Sequence, residues 1–343
     1  MNTHDIANIK ELLSSPKKIV IVSHRNPDGD AYGSSLALYH YLKKYDHSVT
    51  VISPNDCPEF LKWLPAEDNI VVFESQTKKA TGIIKETEII FTLDFNALHR
   101  VGDAMEGVLK ESTATFIMID HHKQPEDYAT YMYSDVLASS TSQMMYHFIE
   151  KLDDLNKIDK NIATCLYTGI VTDTGSFKYQ STTGDTHRIV ANLLEKNIDH
   201  TRIHNELYDT NSIFRLQLLG KALSNLRVLR KYKTAYITLS QEELNSFHFK
   251  KGDTEGFVNY GLSLKGVVMA AIFIEDQKQG IVKMSFRSKG NFCVNEFARN
   301  YFNGGGHENA AGGRSEESLR KTVSKFIKVL EDHKEDLLKS YEE

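Results

Sequence analysis

The sequence is poor in cysteine, lacks long apolar runs and has no excess of positive charge. Its three cysteines, Cys57, Cys165 and Cys293, lie far apart and form no CxxC pair. This spacing argues against a zinc knuckle or a disulfide framework and favours a reducing cytoplasm. The first residues lack the basic and apolar segments of a signal peptide, and no apolar run approaches the roughly 18 residues that a membrane-spanning helix needs. We therefore expect a cytoplasmic protein with no membrane segment.

The balance of charge limits the class of substrate. The chain has 41 Lys and Arg residues against 46 Asp and Glu residues, which leaves a net charge of -5. Proteins that bind long nucleic acid usually show a basic excess. We therefore exclude long nucleic acid as a partner and expect any nucleic-acid substrate to be short.

The length of 343 residues and the hydrophobic content of 41% suggest two domains. Apolar strands that alternate with helices predict an N-terminal α/β domain, residues 1–190, with a mostly parallel sheet flanked by helices. Its strands are predicted at 18–23, 48–52, 88–93 and 115–119, and its helices at 31–45, 102–110, 139–152, 158–170 and 186–195. We assign 191–215 to a helical linker and 216–343 to a smaller α/β domain. A helix is predicted at 214–229, strands at 234–239, 266–274 and 281–286, and further helices at 294–301 and from 315.

Aspartate and histidine residues follow several of the apolar runs in the N-terminal domain. His24, Asp28 and Asp30 follow the first run, and Asp94 follows the run 88–93. Asp120, His121 and His122 lie at the end of the run from 115. Asp173 follows the short run 169–172, which we group with the strands. The C-terminal ends of parallel strands converge on one crevice. Carboxylates and imidazoles brought together there would repel each other unless cations held them. The pattern therefore predicts a two-metal site for phosphoryl transfer to water.

Each of these motifs, taken alone, also has a simpler explanation. The loop from His24 to Asp30 is rich in Asp, Asn, Pro and Gly, which is typical of a turn. Asp94 is typical of a residue that caps the following helix, and Asp173 lies in a segment, Thr172-Asp173-Thr174-Gly175, that is typical of a capping turn. Asp120 is interpreted as a carboxylate that orients a neighbouring imidazole.

A second group of polar and glycine residues lies in the C-terminal domain. It combines Arg287-Ser288-Lys289 with the glycine run Gly304-Gly305-Gly306 and His307. Glycine lets backbone amides approach a phosphate closely, and the N-terminus of a following helix favours anions. Arg287 can bind a phosphate through two parallel hydrogen bonds. The alternative is that the glycine run is only a flexible turn.

The order of these motifs along the chain resembles the DHH/DHHA1 phosphoesterase family, and within it the nanoRNase and 3'-phosphoadenosine-5'-phosphate (pAp) phosphatase branch, also labelled exopolyphosphatase-related. The resemblance covers nearly the whole chain. Its motifs are HRNPDGDA at 24–31, Asp94, DHH at 120–122, SSTS at 139–142, GIVTDTGSF at 169–177, FRSKG at 286–290 and GGGHENAAG at 304–312. No expected ligand departs from the family pattern.

The resemblance implies a centre of two Mn²⁺ ions, with Mg²⁺ or Co²⁺ as substitutes, in a cleft between the two domains. It implies His24, Asp28 and Asp94 as ligands of one ion and Asp30, Asp94, His121 and Asp173 as ligands of the other. Carboxylates with imidazole suit Mn²⁺ on chemical grounds as well. The residues implied for catalysis are Asp94, Asp120 and His122, and those implied for substrate binding are His122, Arg287, Ser288, Gly305, Gly306 and His307. A homodimer is left open.

The activity implied by the resemblance is hydrolysis of very short oligoribonucleotides, of two to five nucleotides, to mononucleotides, and of pAp to AMP, by metal-activated water. The alternative is a phosphodiesterase for cyclic di-AMP or pApA. An exopolyphosphatase or pyrophosphatase is less favoured, because the motifs at 286–290 and 304–312 suit a nucleotide. A nucleotide sensor without turnover is also less favoured, because the implied ligand set is intact.

Overall fold

The computed structural model describes residues 1–250 and 252–340, which form two compact units. The first unit comprises residues 1–210, and the second begins at Asn211. Residue 251 and residues 341–343 of the predicted C-terminal domain lie outside the described residues. Across the described residues, no helix combines the length and the apolar character needed to cross a membrane.

The first unit is built on a parallel sheet of six strands in the order β3-β2-β1-β4-β5-β6. The strands are β1 Lys18–Ser23, β2 Ser48–Ser53, β3 Val71–Val72, β4 Ile89–Leu93, β5 Thr115–Asp120 and β6 Tyr131–Ser134. Successive residues of β1 belong to different cores, with Ile19 and Ile21 on one face of the sheet and Val20 and Val22 on the other. A sheet covered on both faces explains why its strands are continuous apolar runs in the sequence.

Eight α-helices accompany this sheet within residues 1–210. They are α1 Thr3–Leu12, α2 Gly29–Leu42, α3 Thr77–Glu86, α4 Asp103–Lys110, α5 Thr141–Lys151, α6 Lys160–Asp173, α7 Gly184–Leu194 and α8 His200–Tyr208. Short 3₁₀ turns lie at Lys43–Tyr45, Glu59–Leu61, Glu67–Asn69, Leu98–Val101 and Leu155–Lys157. Helix α8 lies in the segment assigned to the linker, and its Ile203 and Leu207 are buried in the core of the first unit.

The second unit has a mixed sheet in the order β11-β12-β10-β9-β8-β7, in which only the pair β8–β9 is parallel among the described strands. The strands are β7 Arg227–Leu229, β8 Thr234–Leu239, β9 Met269–Asp276, β10 Ile281–Ser288, β11 Gly305–Gly306 and β12 Ala310–Ser315. The helices are α9 Ile213–Ser224, α10 Gln241–Ser246, α11 Phe257–Leu262, α12 Val294–Tyr301, α13 Leu319–Asp332 and α14 Lys334–Lys339, with a 3₁₀ turn at Arg230–Tyr232. Alternate residues of β10, Val282, Met284 and Phe286, are buried in the core, as expected for an antiparallel strand with one covered face.

The predicted fold class, two α/β domains with a mostly parallel N-terminal sheet, is confirmed. Three local predictions are wrong. Residues 227–229, predicted as the end of a helix, form strand β7, and helix α9 ends at Ser224. The run 169–172, which we grouped with the strands, is the last part of helix α6. The glycine run at 304–306 leads into strand β12 rather than into a helix, and the next helix begins only at Leu319.

Candidate metal centre

The predicted metal ligands of the first unit lie where the order of its parallel sheet reverses. Strands β2 and β3 lie on one side of β1, and strands β4, β5 and β6, which follow in the sequence, lie on the other side. Ligand sites of open α/β sheets lie at such a point, beyond the C-terminal ends of the strands. His24 directly follows β1 and Asp94 directly follows β4, so the two side chains meet at this crevice.

The loop 24–30 is both a helix cap and part of this site. Asp28 is the N-cap of α2, and its Oδ1 accepts hydrogen bonds from the backbone N–H groups of Asp30 and Ala31, each at 3.1 Å. The same oxygen lies 3.9 Å from Nε2 of His24. The turn interpretation of this loop is therefore correct, and the turn itself places Asp28 and His24 side by side.

His24 and His121 are oriented in the same way. Nδ1 of His24 lies 2.9 Å from the carbonyl oxygen of Arg25, and Nδ1 of His121 lies 3.3 Å from that of Ala138. A carbonyl oxygen can only accept, so each Nδ1 donates its proton, and each Nε2 faces the carboxylates. Metal-binding histidines are commonly oriented by such a hydrogen bond through the other ring nitrogen.

Asp94 lies at the centre of the cluster and is 2% exposed. Its Oδ2 is 3.3 Å from Nε2 of His24, and its Oδ1 is 3.5 Å from Nε2 of His121. Asp94 does not cap a helix, because the next turn begins at Leu98 and has Ala97 as its N-cap. Its φ of 66° is left-handed, a strained conformation for a residue with a side chain. The two oxygens of this one carboxylate therefore face different imidazoles.

Asp30 is bound by the N-terminus of helix α5, an interaction that the sequence did not reveal. The backbone N–H groups of Thr141 and Ser142 donate to its Oδ2 and Oδ1 at 2.6 and 2.8 Å. The Thr141 hydroxyl donates to Oδ1 of Asp94 at 2.9 Å. The SSTS segment at 139–142 was the available signal, but in the sequence it indicated only a helix cap, which Ser140 indeed provides.

Asp173 reaches the cluster from the C-terminal end of helix α6. Its Oδ2 lies 3.4 Å from Nε2 of His121. One turn earlier, a Cβ at Gly169 would overlap Oγ of Ser142 and lie 2.7 Å from Oδ1 of Asp30. Glycine at 169 thus allows α6 to approach closely enough to bring Asp173 beside the other carboxylates.

His122 is paired with Asp120, the last residue of β5. Nδ1 of His122 donates to Oδ1 of Asp120 at 2.6 Å, and the backbone N–H of His122 donates to Oδ2 at 3.1 Å. Nδ1 of His122 also lies 3.8 Å from Oδ1 of Asp94. The fully buried Asp120 therefore orients the imidazole of its neighbour, as the sequence predicted.

The pKa values of the carboxyls show how crowded the negative charges are. Burial, together with repulsion from Asp94 and Asp173, raises the pKa of Asp30 well above its usual range. Burial is also the main cause that raises the pKa of Asp173 to about 7. Burial opposes the charge of Asp94 as well, but the hydrogen bond with His24 and the nearby imidazoles hold the pKa of Asp94 below its usual range.

The pKa values of two imidazoles are raised as well, but here the raised pKa means that the positively charged form is favoured. Burial opposes a charge on His24, yet its interactions with Asp94 and Asp28 outweigh burial and raise its pKa to about 9. In the same way, the charges of Asp173 and Asp94 outweigh burial and raise the pKa of His121 to about 9. These groups thus attract positive charge into a buried place, either as protons or as a cation.

The structure brings together the donor groups that a divalent cation requires. Ligand atoms within 4.8 Å of one another are provided by His24, Asp28 and Asp94, by Asp30, Asp94 and His121, and by Asp94, Asp120 and His122. Carboxylate oxygens with imidazole nitrogens suit manganese and magnesium better than the thiolate-preferring metals. The residues present therefore fit a cation site.

The predicted phosphate-binding residues of the second unit gather at one end of its sheet. Arg287, near the end of β10, pairs with Ala310 of β12, and Gly305 and Gly306 form β11, which pairs with the same strand. His307 begins the turn between β11 and β12, and its N–H donates to the carbonyl oxygen of Ala310 at 2.7 Å. The glycine run is therefore one arm of a tight hairpin, and a Cβ at Gly306 would lie 2.5 Å from that same carbonyl oxygen.

Three side chains hold this end of the second sheet in place. The hydroxyl of Ser288 donates to the carbonyl oxygen of Phe292 at 2.6 Å and accepts from Nδ2 of Asn309 at 2.9 Å. Oδ1 of Asn295 accepts from the N–H of Gly306 at 3.0 Å. The sequence did not single out Asn295 or Asn309, because a lone asparagine has no distinctive spacing.

A buried cluster of carboxylates and imidazoles at the reversal point of a parallel sheet makes the first unit an α/β domain with a candidate cation site. The chain belongs to the DHH family of phosphoesterases: the model of the DHH family, N-terminal domain, matches residues 18–170, and that of the DHHA1 domain matches residues 231–337. Enzymes of this family are metal-dependent.

Individual relatives agree with this assignment. The chain is 30% identical over 311 residues to a protein of Thermus thermophilus named bifunctional oligoribonuclease and PAP phosphatase NrnA, covering 90% of this chain and 86% of that protein. It is 27% identical over 177 residues to the cyclic-di-AMP phosphodiesterase PdeA of Listeria monocytogenes, covering 49% of this chain but 26% of the relative. A crystal structure of an exopolyphosphatase-related protein from Bacteroides fragilis superposes with a TM-score of 0.94 at 41% identity, covering 98% of both chains.

Proposed function

We propose that this protein is a metal-dependent phosphoric ester hydrolase that converts oligoribonucleotides of two to five residues to mononucleotides, and pAp to AMP. The observation that supports this proposal most directly is the position of the Asp94 carboxylate. Its Oδ2 faces His24 at 3.3 Å and its Oδ1 faces His121 at 3.5 Å, so one buried carboxylate is shared by two groups of ligands. A shared carboxylate is the usual means of holding two cations about 3.5–4 Å apart.

Two Mn²⁺ ions are the proposed cofactors, with Mg²⁺ or Co²⁺ as substitutes. His24, Asp28 and Asp94 would hold one ion, and Asp30, Asp94, His121 and Asp173 would hold the other. When bound, such ions supply Lewis acidity towards phosphoryl oxygens and lower the pKa of water. The raised pKa values of Asp30 and Asp173 support this proposal, because the cluster cannot keep all of its carboxylates charged without added positive charge.

His122 is the proposed catalytic side chain, and Asp120 its partner. Because Asp120 accepts the proton of Nδ1, the ring presents Nε2 to the reacting phosphoryl group. A proton on Nε2 would stabilise the negative charge that gathers on the phosphoryl oxygens in the transition state. The fully buried Asp120 would keep the ring in this orientation during the reaction.

The second unit is the proposed binding site for the part of the nucleotide that does not react. Arg287 would bind a phosphate or ribose through its planar guanidinium, with Gly305, Gly306 and His307 of the neighbouring hairpin beside the nucleotide. Ser288 contributes through the hydrogen bonds that hold the hairpin turn. Residues from 211 onwards carry more basic than acidic side chains, whereas residues 1–210 carry more acidic ones, which favours an anion in the second unit.

The substrate class is supported by the relatives. The Thermus relative is named for oligoribonuclease and PAP phosphatase activities, and it covers most of this chain. The alternative, a phosphodiesterase for cyclic di-AMP or pApA, is favoured by the match to PdeA, although that match spans only half of this chain. A cytoplasmic location and a homodimer stay predictions.

One assay separates these activities. Purified protein is incubated with pAp, pApA, an RNA trimer and cyclic di-AMP, each with Mn²⁺ and with a chelator, and mononucleotide release is followed by chromatography. We expect Mn²⁺-dependent turnover of the trimer and of pAp, and little turnover of cyclic di-AMP. Preferential turnover of cyclic di-AMP would establish the alternative function, and the absence of turnover on all four substrates would refute the proposal.

A further inference from the structure

Thr141 contacts two of the proposed metal-binding carboxylates at once. Its backbone N–H donates to Oδ2 of Asp30 at 2.6 Å, and its hydroxyl donates to Oδ1 of Asp94 at 2.9 Å. The residue is fully buried, and it lies in the first turn of helix α5. A single residue thus joins a helix N-terminus to the carboxylate that the two ligand groups share.

The hydroxyl of Thr141 acts on one particular oxygen of Asp94. Oδ1, which accepts from Thr141, is the oxygen that lies 3.5 Å from His121, whereas Oδ2 lies 3.3 Å from His24. The left-handed backbone of Asp94 gives the side chain an unusual starting direction, so backbone geometry alone does not ensure this orientation. The hydrogen bond therefore keeps one oxygen on the His121 side and the other on the His24 side.

A network of hydrogen bonds holds Thr141 in this position. The neighbouring Ser140 caps helix α5 by accepting from the N–H of Gln143 at 3.0 Å. Oε1 of Gln143 accepts from the hydroxyls of Ser139 at 2.6 Å and Thr186 at 2.9 Å. Gln143 is itself buried. Residues on both sides of Thr141 are thus fixed, which gives its hydroxyl a defined direction.

We propose that Thr141 is a positioning residue whose hydroxyl keeps the Asp94 carboxylate shared between two cations. Without that hydroxyl, the carboxylate is free to turn towards the His24 group, and the cation of the His121 group loses a ligand. The proposal rests on the proposed function, because it concerns the same two ions. It adds that occupancy of the second site depends on a residue that contacts neither ion.

Three variants isolate the hydroxyl. Thr141→Val keeps the shape and the backbone N–H, so the contact with Asp30 remains while the hydrogen bond to Asp94 is lost. Thr141→Ser keeps the hydroxyl. Thr234→Val is the matched control, because Thr234 is a fully buried threonine of the second unit whose hydroxyl donates to the carbonyl oxygen of Tyr232 at 2.8 Å. Thermal unfolding without metal shows which variants fold.

The measurement is direct binding of Mn²⁺ to the metal-free proteins, by titration calorimetry and by the electron paramagnetic resonance signal of free Mn²⁺. We expect two ions per chain in the wild type, in Thr141→Ser and in Thr234→Val. In Thr141→Val one ion should bind normally, while the dissociation constant of the other rises by about 10- to 100-fold, the effect of losing a hydrogen bond to a charged group. Turnover of the RNA trimer should recover in that variant as Mn²⁺ is increased.

The outcomes separate this inference from the proposed function. If the wild type binds two ions and Thr141→Val binds both with unchanged affinity, the positioning role is refuted and the function stands. If Thr141→Ser is as impaired as Thr141→Val, the methyl group rather than the hydroxyl matters, and the inference is also refuted. If the wild type binds no Mn²⁺ and has no turnover, the proposed function itself is wrong.

Discussion

Replacing Asp94 by asparagine tests the centre of the proposed site with little change in shape. The carboxylate is within 3.8 Å of nitrogen atoms of His24, His121 and His122, and each of its oxygens faces a different side. An asparagine has a single oxygen and an NH₂ group, which cannot bind a cation. The asparagine side chain in Asp94→Asn can therefore supply a ligand oxygen to only one of the two proposed ions, and it provides no negative charge to either.

The size of the effect follows from what is lost. Metal-based stabilisation of the transition state amounts to several kcal/mol, and each 1.36 kcal/mol corresponds to about a tenfold change in rate. Losing a ligand shared by both ions should remove at least about 4 kcal/mol, which corresponds to a fall in kcat/KM on the order of 10³ or more.

The assay compares release of mononucleotide from an RNA trimer by the wild type and by Asp94→Asn, with bound manganese measured by elemental analysis. Asp46→Asn is the matched control, because Asp46 also has a left-handed backbone, with a φ of 58°, but is exposed and lies outside the cluster. We expect full activity in the control and at most one bound ion in Asp94→Asn. Turnover by Asp94→Asn above about a tenth of the wild-type value would show that Asp94 is not a shared ligand.

Three further predictions concern the neighbouring groups. His122→Ala should lower kcat by roughly 10²–10⁴-fold with little loss of manganese, and loss of one ion in this variant would show that the roles of His121 and His122 are exchanged. Arg287→Ala should raise KM for nucleotides by roughly 10- to 150-fold, while hydrolysis of nitrophenyl phosphate stays nearly unchanged; equal losses on both substrates would place Arg287 at the reacting phosphate. Mn²⁺ at about 100 times its dissociation constant should raise Tm by roughly 5–10 °C for each ion bound, reversibly with chelator, and an unchanged Tm would argue against binding to the native cluster.

Much of the first unit could be predicted from apolar runs, because a parallel sheet covered on both faces leaves long stretches of Val, Ile and Leu in the sequence. The strands before His24, Asp94 and Asp120 were all located in this way. The run before Asp173 was misassigned, since a run of four residues is too short for a periodicity that separates a strand from a helix. The two-residue strand Val71–Val72 was missed because it is too short to form a pattern.

The features that were missed depend on tertiary contacts. Nothing in the sequence shows that the Thr141 hydroxyl reaches Asp94, since the same serine and threonine run is typical of any helix cap. The left-handed backbone of Asp94 has no sequence signal either, as glycine is the residue usually expected there. In the second unit, the glycines before His307 were expected to precede a helix. Instead, they form one strand of a hairpin, and their lack of side chains allows the two strands to pair closely.

The proposed metal ligands are dispersed along the chain, from His24 to Asp173, and this dispersal bears on how the protein matures. No segment shorter than about 150 residues contains the whole set, and the contacts of Asp94 with His24, His121 and Thr141 join elements that are distant in sequence. Contacts of this kind form late, because the intervening loops must close first. A nascent chain therefore has no complete cation site until helix α6 has left the ribosome and packed onto α2. A divalent cation would thus stabilise the finished domain without trapping its folding intermediates.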